Sequence, residues 1–119
     1  TSGNTMPRFV FNNLISNGLN ISIKDGDRMR ESRKLERIFK GVANHRRIEI
    51  IWQVKKIPGI TLQGISENLN CDFRTISEHT KKLTIAGLVN KKYSGRVVAH
   101  QLSPYGEKIF YILERFYQQ

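Results

Sequence analysis

The chain has little of what usually classifies a small protein. Its 119 residues include one cysteine, Cys71, so no intramolecular disulfide can form and nothing points to a secreted disulfide scaffold. No uninterrupted apolar run approaches the roughly 20 residues of a membrane span. The sequence does not open on a basic, then apolar, then small-residue leader, so export is not expected. The Asn20-Ile21-Ser22 sequon therefore reads as an accident, because glycosylation needs the secretory route. The chain begins at Thr1 and not at Met, which leaves open that it is a piece of a longer protein. Catalytic patterns are missing too: no Ser/His/Asp order, phosphate-binding glycine loop or carboxylate pair stands out, and an enzyme is not expected. His45, His79 and His100 lie far apart without ligand spacing, so neither a metal nor another cofactor is expected.

Negative charge is also scarce. Ten Asp plus Glu stand against 20 Lys plus Arg, a formal net charge of +10. Hydrophobic residues at 39% and charged residues at 25% are ordinary globular composition, and the length fits one domain, alone or with an extension. Such a domain buries roughly two thirds of its unfolded surface and needs no staple. Excess positive charge on a cytoplasmic protein favours a polyanionic partner, with nucleic acid first and an anionic membrane surface second.

Residues 1–34 form an amino-terminal extension. Leu19, Ile21 and Ile23 alternate with polar residues at the period of a strand, and Asn17-Gly18 before them signals a hairpin. Asp25-Gly26-Asp27 breaks that strand, with Asp27 expected to cap a following helix. From Leu35 the pattern is helical. Leu35, Ile38, Phe39 and Val42 make one apolar stripe, and Ile48, Ile51 and Trp52 make a second, stopped by Pro58-Gly59. Thr61 caps a short helix with Leu62, Ile65 and Leu69 inward. Asn70 fits a left-handed turn, and Asp72 caps the next helix through the amide of Arg74 or Thr75. There Ile76 and Leu83 face inward, Arg74, Glu78 and Lys81 outward, and Gly87 ends the helix. Val89, Lys91 and Tyr93 alternate, Ser94-Gly95 turns the chain, and residues 97–102 return as a second strand. Ser103-Pro104 starts a last helix with two apolar stripes, more than one packed face needs.

A run of helices with a tight turn between the third and fourth, then a two-stranded ribbon and a terminal helix, is the winged helix-turn-helix order. Five blocks strengthen it: residues 41–51 (GVANHRRIEII), 60–70 (ITLQGISENLN), 72–83 (DFRTISEHTKKL), Ala86-Gly87-Leu88-Val89 and Leu102-Ser103-Pro104-Tyr105-Gly106. In this order they resemble winged-helix regulators of the ArsR and MarR types, over about residues 35 to 115. The expected fold is thus mainly α with a small β-ribbon: a winged helix-turn-helix domain over 35–103, a carboxy-terminal dimerisation helix over 104–119, and the hairpin-like extension.

The resemblance implies sequence-specific binding of double-stranded DNA by a dimeric transcriptional regulator. A major groove ~12 Å wide admits one helix, and its base edges carry a unique donor and acceptor code. The recognition helix over 72–86 would present Phe73, Arg74, Ser77 and Glu78 to the groove. Arg74 suits a bidentate guanine contact, and Glu78 can accept from a cytosine amino group. Thr75, Lys81 and Lys82 suit phosphate, which positions without specifying sequence. The wing over 93–97, with Tyr93, Ser94 and Arg96, is expected on the minor groove or backbone. Between Asp72 and His100, six cations stand against two anions, a net +4. Phe110, Leu113, Phe116 and Tyr117 are the expected homodimer contacts.

Each residue also has a plainer reading: Lys81 and Lys82 as a solvated face, Phe73 as a core-edge residue, Ser77 as a small residue permitting close approach, His79 as packing and Cys71 as filling the turn. The alternative function is a winged-helix module for protein or RNA that has lost base reading. The sequence also departs from the family. Gly64 sits inside a helix, at a cost of up to ~1 kcal/mol relative to Ala. Thr80 replaces an apolar residue, and Ile85 leaves an apolar side chain facing outward. Helix three has no Cys-x-Cys and the last helix no His, so the metal sites of related regulators are not expected.

Overall fold

The computed structural model describes residues 24–118. The expected hairpin around Asn17-Gly18 and the strand through Ile23 lie outside them. Five helices and one hairpin follow: α1 (Asp25–Val42), α2 (His45–Lys56), α3 (Leu62–Leu69), α4 (Phe73–Ile85), β1 (Val89–Ser94), β2 (Val97–Leu102) and α5 (Pro104–Tyr117). None of the described helices is long and apolar enough to cross a membrane.

Local chemistry sets most of the boundaries. Asn44 accepts from the amides of Arg46 and Arg47 and starts α2. Thr61 accepts from the amide of Gly64 to start α3, and Ser103 accepts from the amide of Gly106 with Pro104 at the first helical position of α5. Left-handed Gly59 (φ +91°) closes the turn after α2, and Gly87 (φ +81°) closes the one after α4. The beginning of α1 differs from expectation. The cap is Lys24, without a side-chain bond, and Asp27 lies inside the first turn, paired with Arg30. Asp25 and Asp27 there face the positive end of the helix dipole, so the favourable charge is kept while the start moves three residues earlier. As a result α1 crosses position 34 without interruption.

The core takes at least one residue from every helix and from the start of β1. Ile38 and Val42 of α1 meet Ile50, Ile51 and Val54 of α2, Ile65 of α3, Ile76 and Leu83 of α4, Leu88 and Val89, and Ile109 of α5. Each such side chain contributes about 1.5–3 kcal/mol relative to an exposed one. The expected stripe on α1 is only half inward, however: Leu35 and Phe39 are each 47% exposed. Where α1 crosses α4, Gly41 is required, because a Cβ there would lie 2.4 Å from the Cβ of Ala86. Gly64 is tight as well, with Ile60 Cγ1 3.0 Å from where its Cβ would stand.

Thr80 is buried in α4, and its hydroxyl finds no hydrogen-bond partner among the described residues. A buried unsatisfied hydroxyl costs about 1–3 kcal/mol. Thr80→Val removes that polar atom at nearly the same volume and should raise the urea midpoint by roughly 1 kcal/mol equivalent at unchanged m-value. A lower midpoint would mean that the hydroxyl is satisfied in solution.

Candidate nucleic-acid interface

The helix-turn-helix is built by one left-handed residue and two caps. After α3, Asn70 adopts φ 48°, ψ 50°, the conformation Asn tolerates better than most residues. The amide of Cys71 donates to Ser66 O at 3.0 Å, and the Ser66 hydroxyl donates back to the Cys71 carbonyl, with the half-buried Cys71 filling the turn. Asp72 then accepts from the amide of Thr75 at 3.0 Å and from its hydroxyl at 3.1 Å. With Ile76 and Leu83 fully buried, α4 can turn in only one way, and its opposite face is fixed to solvent.

That face carries the expected groove residues. Phe73 is 52% exposed at the first position of α4, while Arg74, Glu78, Lys81 and Lys82 are exposed and Ser77 is half-buried. Arg74 Nε lies 3.5 Å from Glu78 Oε1, both side chains well solvated. Exposed pairs of this kind are worth 0–1 kcal/mol, so a phosphate or base edge displaces Glu78 from Arg74 at little cost. Thr75 is more committed: its hydroxyl proton is directed at Asp72, and donation to a phosphate would require that bond to open. Ile85 is 76% exposed at the far end of α4.

The wing projects from the core. Strands β1 and β2 pair antiparallel from Val89↔Leu102 to Ser94↔Val97, and only Val89 of β1 is buried. Tyr93, Ser94 and Arg96 are all exposed. The turn is one residue later than the sequence indicates, comprising Gly95 and Arg96, with Gly95 at φ +62°. Arg96 thus stands at the tip itself.

At the base of the wing the fully buried His100 joins it to the helix-turn-helix. Its amide donates to Ile60 O at 3.1 Å, its Nδ1 lies 2.9 Å from the same oxygen, and its carbonyl accepts from Gly59 N at 2.9 Å. Burial lowers its pKa below the ordinary histidine value; the Ile60 carbonyl works in the opposite direction and Lys91 adds repulsion. The native state therefore resists a proton that the unfolded chain accepts. Stability on this account is complete above about pH 6.5 and falls as pH drops toward the lowered native value, by at most ~1.4 kcal/mol per pH unit for one proton. Urea titrations at about pH 7.5 and about pH 5.5 should show this loss, reduced in His100→Gln. An equal loss in the variant would assign it to other groups.

The expected dimer contacts divide into two kinds. Phe110 and Leu113 are half-buried against the chain's own core, and Phe110 meets Trp52 edge-on at 4.7 Å. Phe116 and Tyr117 are 69% and 71% exposed, although Tyr117 also reaches Trp52 at 5.4 Å. Leu35 and Phe39 of α1 and Ile112 of α5 are exposed apolar residues that periodicity assigned to the core or left without a role. Among the described residues, no three His, Cys, Asp or Glu side chains group as a metal site.

No family model and no curated protein matches the chain. Solved structures do. HlyU from Vibrio cholerae is 27% identical with a TM-score of 0.68, covering 75% of this chain and 97% of that one. Its reduced form gives 26% and 0.69, covering 78% and 98%. The chain has the winged helix-turn-helix fold of the ArsR-like regulators. The homodimeric winged helix-turn-helix DNA-binding domain of Mb0332 from Mycobacterium bovis shares this fold at 17% identity and a TM-score of 0.68, covering 79% of this chain and 87% of that one. In this chain α3 and α4 are the helix-turn-helix, β1 and β2 the wing, and α1, α2 and α5 the frame that holds them.

Proposed function

We propose that the chain is a transcriptional regulator that binds double-stranded DNA sequence-specifically as a homodimer. The observation that carries this reading is the solvent face of α4, which holds Arg74, Ser77, Glu78, Lys81 and Lys82 over a side locked inward by Ile76 and Leu83. In the proposal, Arg74 and Glu78 address base edges, with Phe73 and Ser77 beside them in the groove. Lys81, Lys82 and Thr75 hold phosphates, and Tyr93, Ser94 and Arg96 bring the wing to the minor groove or backbone. The regulators named above support the DNA-binding role, and no catalytic step is assigned.

The homodimer rests on the exposed apolar residues. Leu35 and Phe39 on α1, with Ile112, Phe116 and Tyr117 on α5, leave apolar surface open in one protomer. Phe110 and Leu113 would support that surface from beneath. A two-fold axis through it would set two recognition helices about one turn of DNA apart, ~34 Å, on an inverted repeat. Enrichment of a random duplex library tests the reading. The expected product is an inverted repeat with half-sites ~34 Å apart. Recovery of no common sequence would favour the protein- or RNA-binding alternative.

A further inference from the structure

The last turn of α1 leaves carbonyls that no later residue of the helix can bond. Phe39 O accepts from the amide of Ala43 and Val42 O from that of Asn44. The two between them are taken by one side chain: Arg47 Nη1 donates to Lys40 O at 3.2 Å and to Gly41 O at 3.0 Å. The same guanidinium turns its Nε to His79 Nδ1 on α4, at 3.4 Å. Arginine keeps its proton throughout the working pH range, so this bond requires the imidazole nitrogen to be bare. A protonated His79 has two donors and no acceptor, and the bond becomes a repulsion.

We propose that Arg47 is a positioning residue for DNA recognition, fixing the recognition helix to the end of α1 through neutral His79. The proposal rests on the DNA-binding reading given above and adds how the helix is held. Its geometry is that of the α1–α4 crossing, where Gly41 lets Ala86 approach and Arg47 spans both helices. Since α1 also carries Leu35 and Phe39 of the proposed dimer surface, the angle between α1 and α4 sets how each recognition helix meets its half-site. Partial burial is the main cause that disfavours the cationic form of His79; the neighbouring Arg47 and Lys82, and more weakly the His45 ring, act in the same direction, and Glu78 opposes them. The latch is therefore closed at neutral pH and opens on acidification.

The test compares affinity for the duplex recovered by enrichment with affinity for a random duplex of equal length, on the full chain, between about pH 7.5 and about pH 5. For the wild type the ratio should fall roughly tenfold on acidification. His79→Gln retains an acceptor without a titration and should keep the neutral-pH ratio at every pH, whereas His79→Leu should show the reduced ratio throughout. A wild-type ratio that ignores pH, or a His79→Gln protein with the wild-type pH profile, overturns the proposal. Unfolding midpoints of Arg47→Ala, His79→Ala and the double variant provide a readout without DNA. The double variant should lose less than the sum of the single losses at neutral pH; additive losses overturn the latch, even if no duplex binds and the DNA-binding reading itself fails.

Discussion

Replacing Gly106 by Ala should lower stability by ~3 kcal/mol, the upper end of what overpacking costs. Helix propensity points the other way, since Ala is favoured over Gly inside a helix by up to ~1 kcal/mol. Geometry decides. A Cβ at position 106 would lie 2.1 Å from the carbonyl oxygen of Leu88, 3.1 Å from its carbon and 3.2 Å from the Cβ of Leu102. The Leu88 carbonyl has nowhere to go, because it accepts from Ser103 N at 3.0 Å, its own amide donates to Leu83 O at 2.9 Å, and its side chain is fully buried. The same junction binds the Ser103 hydroxyl to Gly87 O, so the end of α4, the start of the wing and the cap of α5 share one contact. Gly26, with nothing within 4 Å of its would-be Cβ, is the control, and Gly26→Ala should cost nothing. Urea unfolding of both variants checks the pair. A Gly106→Ala midpoint equal to that of Gly26→Ala would refute the packing of α5 against Leu88.

Arg74→Ala should cost ~1–3 kcal/mol on the preferred duplex and much less on a random one, relaxing sequence choice at the position it reads. The side chain is solvent-exposed and among the described residues it pairs only with Glu78, itself largely solvated, so folding should be unaffected. A purely electrostatic role predicts something else: uniform weakening across all duplexes and a shallower salt dependence. Arg96→Ala and Lys81→Ala should behave in this second way. Equal losses from Arg74→Ala on preferred and random DNA would move Arg74 from base reading to phosphate contact.

What the sequence revealed was mostly local. Asn70, Asp72, Thr61 and Ser103-Pro104 were legible because a cap or a left-handed turn is settled within four residues, and the structure uses each of them as expected. The inward pair Ile76 and Leu83 was legible for the same reason, since helical period alone orients α4. The exceptions involve partners distant in sequence. Asn44 lies two residues past the last residue of one apolar stripe, yet it caps the helix that follows. Leu35 and Phe39 follow the same period as Ile38 and Val42, and periodicity cannot separate a core face from an apolar face left open beside it. Arg47 gives no local signal at all, because its partners are on α1 and, 32 residues away, on α4. His100 gives no local signal either, because its buried bond to Ile60 spans 40 residues. The candidate site itself was readable only as far as outward-facing polarity extends, which names the side chains of α4 and the wing but not the bases they would meet.

The most direct measurement is fluorescence anisotropy of the full chain on the enriched inverted repeat and on a random duplex of equal length, at several salt concentrations. The account predicts that both bind, with log–log salt slopes of about −0.9 per phosphate contact, and that the repeat binds at least ~10³-fold more tightly at physiological salt. No resolvable binding at low salt, or equal affinity for the two duplexes, would contradict sequence-specific recognition by α4 and the wing.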